Sequence, residues 1–131
     1  MRVGKQDTEN RKQGKLEKFE DLLVWQKAHQ LVLETYKITR SYPAEERFSL
    51  VSQMRRASVS VPANIAEGFK KRGQRDKMNF YNIAQGSLEE LRYYMILSRD
   101  LGYIQGDQNI IRMIEEVGKM LYSLIVSMKG I

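Results

Sequence analysis

The stretch RRASVSVPANIAEG, from Arg55 to Gly68, constrains the fold of this chain more than any other. It sets Pro62, one of only two prolines, inside a long apolar-periodic segment and surrounds it with small residues. Phe48, Val51, Met54, Ala57 or Ser58, Val61, Ile65 and Phe69 keep helical spacing across the proline, which predicts one kinked helix beginning near residues 44–47. Proline in a helix leaves the carbonyl four residues earlier, that of Ser58, without its usual partner, and Ser58 and Ser60 are suited to ease such a bend. The alternative is a fresh helix capped by Ser60 with Pro62 in its first turn. Ala57, Ser58, Ser60, Ala63 and Ala66 are small enough to let a neighbouring helix come close, so the stretch reads first as a packing device.

Three more helices surround this one. Leu22, Trp25, Ala28, Leu31, Val32, Thr35, Tyr36, Ile38 and Thr39 form a stripe at three- and four-residue steps, with Asp21 placed to accept from the first free amides and Pro43 ending the run. A third helix runs from residues 74–77 to Leu101 with Phe80, Ile83, Ala84, Ser87, Leu88, Leu91, Tyr94, Met95, Ser98 and Leu101 on its seam. Gly86 in its middle predicts close approach of another backbone, Gly68 and Gly73 frame a reversal of the chain, and Gly102 marks a stop before a short connection to Asp107. The fourth carries the seam Ile110, Ile114, Val117, Leu121, Leu124 and Met128. No strand-like alternation competes with these patterns. Short links force sequential helices antiparallel, so the expected fold is all-α: an up-down-up-down four-helix bundle over residues 19–131.

Residues 1–18 are polar and lack periodicity, which predicts a disordered basic extension outside the fold. They contain no apolar signal-peptide core, and no later run approaches the roughly 18 apolar residues of a membrane span. With no cysteine among its 131 residues, the chain is expected to be a cytoplasmic protein without disulfides. Its net charge of +6 is clustered. Residues 1–18 contribute +3, and residues 70–77 contribute +4, from Lys70, Lys71, Arg72, Arg75 and Lys77 against Asp76; the remainder nearly cancels. Such a loop at one end of a bundle suits sequence-independent binding of RNA or DNA phosphates, and the bland alternative is a solvated turn. The tyrosines are not interleaved with the basic run, so base stacking is not indicated.

Arg56, Ser60, Asn64, Glu67 and Lys71 make a polar stripe opposite the core seam of the proline helix. Two readings stand beside each other: a solvated face with a Glu67–Lys71 pair, or an oligomer interface using Arg56, Ser60, Asn64 and Glu67.

FEDLLVWQKA from Phe19, SQMRRASVSVPANIAEGFKKR from Ser52, GSLEEL from Gly86 and DLGYI from Asp100 together resemble the 23S rRNA intervening-sequence protein family over about residues 19–126. The resemblance implies a small non-enzymatic bacterial four-helix bundle that assembles as a ring-like homopentamer. It also implies a distant relation to the accessory variability protein of diversity-generating retroelements, a basic pentamer that binds a reverse transcriptase and nucleic acid.

The residues themselves offer catalysis little. His29 is the only histidine, so paired Glu-x-x-His iron ligation and His-based zinc sites are out of reach, and no cofactor or metal is expected. The adjacent carboxylates Glu45/Glu46, Glu89/Glu90 and Glu115/Glu116 diverge by about 100° on a helix and read as surface. No phosphate-cradling glycine loop or nucleophile elbow is present. The expected function is therefore a non-enzymatic, homo-oligomeric nucleic-acid-binding accessory protein, the alternative being a protein-protein scaffold; a membrane-surface role lacks a basic helical stripe.

Overall fold

The amphipathic segments do form helices, and the computed structural model describes them over residues 16–105 and 109–129. Helix α1 spans Leu23–Thr39, α2 Leu50–Lys70, α3 Gln74–Asp100 and α4 Asn109–Ser127. Short 3-10 turns at Phe19–Asp21 and Ala44–Glu46 precede α1 and α2. Each helix packs on the next and α4 closes back onto α1, which completes a four-helix bundle; the contact between α2 and α3 is the most extensive. Residues 1–15 of the expected basic extension, and residues 106–108 of the last connection, lie outside the described residues.

Helix α2 runs unbroken through Pro62, in favour of one helix over two. The Ser58 hydroxyl donates to the Arg55 carbonyl at 2.9 Å. Leu31, Met54, Val61, Ile65, Leu91, Met95, Ile110, Val117 and Leu121 are the large apolar side chains at the centre of the core. Thr35 and Thr39 are buried too, each donating its hydroxyl to the carbonyl four residues back, at 2.8 and 2.7 Å, so neither is left unsatisfied.

Several seam assignments fail, at helix ends and also within α3. Phe48 is 88 % exposed because α2 begins only at Leu50, two residues beyond it. Ile83 and Leu101 are about half exposed, whereas Tyr81, one position from the assigned Phe80, is buried. On α4, Ile125 rather than Leu124 is fully in the core.

The close approach expected at Gly86 occurs at Gly68 instead. Gly86 faces open space, with no atom from beyond its own turn of helix within 4 Å of where its Cβ would stand. Gly68 lies within α2, and a Cβ there would meet Tyr81 Cε1 at 2.6 Å and Phe80 Cβ at 3.2 Å. Close approach of α2 and α3 is thus at Gly68. Asp21 also differs from its expected capping role: its Oδ2 accepts the preceding amides of Glu17 and Lys18, both at 3.2 Å, and so ties down the entering chain.

Gly102 behaves as a helix stop. Its φ of +82° is in the left-handed region, its amide donates to Arg99 O at 3.0 Å, and the Tyr103 amide donates to Ser98 O at 2.9 Å. That pair of bonds satisfies carbonyls which the end of α3 would otherwise leave free.

Candidate nucleic-acid interface

Antiparallel packing brings the C-terminus of α2, the N-terminus of α3 and the C-terminus of α4 to one end of the bundle. The Gln74 side-chain amide hydrogen-bonds the Met128 carbonyl across that end. The five predicted phosphate-binding residues all sit here, but in different states.

Lys70, Arg72 and Arg75 are exposed and make no ion pair or hydrogen bond among the described residues. Lys71 is half-buried with its ammonium 5.2 Å from the centroid of the Phe80 ring. Lys77 points inward, donating to the carbonyls of Gly68 at 3.1 Å and Phe69 at 2.7 Å and standing 5.4 Å from the Phe69 ring centroid. It therefore caps α2, and partial burial holds its ammonium pKa below the usual lysine value.

Lys129 is a cation that segment charge counting missed. It shares a cavity of about 360 Å³ with Gln74, Arg75, Met78, Asn79 and Met128. The zero net charge of residues 107–131 concealed it, and only the return of α4 to this end reveals it. A neighbouring cavity of about 400 Å³ between the Phe19 turn and α2 is a poor phosphate site, because Glu17, Glu20 and Glu67 line it beside Lys18 and Lys70.

The polar stripe divides. Arg56 and Glu67 are exposed, while Ser60 and Asn64 are half-buried and bonded within the chain. The Ser60 and Ser87 hydroxyls lie 2.7 Å apart across the α2–α3 contact. The Asn64 amide donates to Ser60 O at 2.7 Å and Ser60 Oγ at 3.0 Å. The Glu67–Lys71 pair does not form, since the Lys71 ammonium goes to Phe80. His29 stacks on Trp25, with ring centroids 5.1 Å apart and planes 7° from parallel, and no group of three or more metal-ligating side chains occurs among the described residues. No helix among them is long and apolar enough to cross a membrane.

Glu46 is the carboxylate whose reading changes most. Its Oε1 accepts from Ser49 Oγ at 2.6 Å and from the Leu50 amide at 3.4 Å, and its Oε2 accepts from Tyr103 Oη at 2.8 Å. The Ser49 and Tyr103 hydrogen bonds hold its pKa below the usual carboxylate value. This residue fastens the start of α2 to the end of α3 at the far end of the bundle.

These features define the chain as a four-helix bundle with one cation-rich turn. It belongs to the 23S rRNA-intervening sequence protein family, which it matches over residues 20–123. A solved structure of a protein with unknown function from the S23 ribosomal protein family of Bacteroides thetaiotaomicron VPI-5482 is similar, with a TM-score of 0.74 and 26 % identity over 79 % of this chain and 96 % of that one. No match is found among curated proteins.

Proposed function

We propose that this protein is a non-enzymatic, homo-oligomeric accessory factor, pentameric as the family resemblance implies, whose α2–α3 end holds RNA or DNA by its phosphates. The observation that carries the reading is the exposure of Lys70, Arg72 and Arg75 with no carboxylate partner among the described residues. A nucleic acid carries condensed counterions on its phosphates, and cations left unpaired on the protein gain affinity by neutralising those phosphates and releasing them. Repetition of the turn around a ring would multiply a weak contact. Any chemistry then belongs to a partner, such as a reverse transcriptase.

Mobility-shift titration of a single-stranded RNA across a salt series tests this. Affinity should fall steeply with salt, and Lys70→Gln/Arg72→Gln/Arg75→Gln should flatten the slope by about one unit per contact removed. Lys77→Gln should lower stability instead, because it releases two carbonyls of α2. Binding insensitive to salt, or unchanged in the triple variant, would sink the proposal. A scaffold without a nucleic-acid role predicts no shift at physiological salt.

A further inference from the structure

The opposite end of the bundle holds a second concentration of positive charge. Thr39, Arg40, Tyr42, Arg47, Val51 and Arg55 are among the residues lining a cavity of about 320 Å³ between the end of α1 and the start of α2. Three of these are arginines, and no carboxylate lines the cavity. The adjacent acids do not compensate: Glu46 is turned to Ser49, Leu50 and Tyr103, and Glu45 is exposed without an ion pair among the described residues.

Arg55 is fixed in place. Its Nε donates to Thr39 Oγ1 at 3.0 Å, one Nη donates to Tyr36 O at 3.5 Å, and its guanidinium carbon stands 4.5 Å from the Tyr36 ring centroid. Thr39 is 3 % exposed and donates its own proton to Thr35 O, so its oxygen is oriented to receive Arg55. The second Nη of Arg55 has no partner among the described residues. Capping of α1 does not account for the other two arginines, because the carbonyls of Lys37, Ile38 and Thr39 already accept the amides of Arg40, Ser41 and Tyr42.

We infer that this cavity is a binding site for a compact phosphate group, held by the planar forks of Arg40, Arg47 and Arg55. Guanidinium is the side chain whose donor geometry matches phosphate oxygens two at a time, and a dianion relieves the mutual repulsion of three like charges. The site is separate from the basic turn, at the other end of the helices.

Isothermal titration of the full chain with inorganic phosphate and with pyrophosphate, at ionic strength matched by chloride, reads the site directly. Saturable one-per-chain binding is expected, weakened at least tenfold in Arg40→Gln and in Arg47→Gln, whose exposed side chains can change without disturbing the core. Arg55→Lys keeps the charge but loses the fork and should weaken binding as well. Lys70→Gln/Arg72→Gln/Arg75→Gln should leave it unchanged, which separates this site from the proposed polyanion surface. Binding lost in that triple variant, absence of binding above the chloride control, or equal binding of citrate would each overturn the inference.

Discussion

A methyl group on Gly68 would stand 2.6 Å from Tyr81, a ring only 2 % exposed and so without room to withdraw. Gly68→Ala should destabilise the protein by about 1–3 kcal/mol, the usual range for overpacking a filled core, as measured by urea denaturation. Gly86→Ala has the opposite expected sign. The position is helical and open, so alanine should stabilise by up to about 1 kcal/mol in the isolated chain. Equal effects at both positions would show that the α2–α3 register is not as described. Gly86 is legible in the sequence as a glycine inside a helix, and Gly68 reads as the edge of a chain reversal. Which one touches a neighbour is set by how two helices slide past each other, and no local pattern records that. Tyr81 escaped for the same reason, since its ring fills the space that Gly68 leaves.

At the scale of elements, the seam of α4 and both ends of α3 were readable, whereas the starts of α1 and α2 were not. Repeating apolar steps define α4 from Ile110 to Leu121, because burial recurs with the helix period. Ends depend on side chains that reach across connections, as Asp21 and Glu46 do. Glu46 carries a prediction about pH. Its folded-state pKa lies below the unfolded one, so its contribution is complete above the ordinary carboxylate range and is lost as pH falls through the depressed value. The Tyr103 phenol is shifted up by the same hydrogen bond, so its contribution is present at neutral pH and lost only in strong alkali. Thermal melts from neutral pH downward should therefore show a shallower acid limb for Glu46→Gln than for the parent, with the two curves converging at low pH. Tyr103→Phe should weaken the acid limb in the same direction, since it removes one of the three bonds that hold the carboxylate ionised. Parallel acid limbs in all three proteins would rule out the fastening role.

Over the whole molecule, antiparallel packing sorts charges that the linear sequence mixes. Residues 19–69 sum to zero, yet Glu20, Asp21 and Glu67 lie toward the α2–α3 turn while Arg40, Arg47 and Arg55 gather at the far end. The basic turn was visible because it is contiguous, and the arginine cavity was not because it is assembled from two helices and their link. A similar assembly leaves an outer face beside the Ser60–Ser87 bridge. Ile83, 50 % exposed, lies one helical turn before Ser87, and Gly86 opens to the outside between them. Arg56 and Glu67 continue that face on α2 as exposed side chains. Under the proposed homo-oligomeric function, this face, with exposed Ile83 beside an open glycine, is the seat to test for a second copy of the chain. Light scattering after size exclusion should accordingly give several times the 15.3 kDa chain mass, and Ile83→Glu should reduce it to one chain while circular dichroism keeps its helical signal. The same variant should weaken RNA binding without altering the contacts of a single turn, because avidity depends on several turns presented together. A parent protein that runs as one chain at every concentration would remove this face from assembly; an Ile83→Glu oligomer of unchanged mass would place the interface elsewhere.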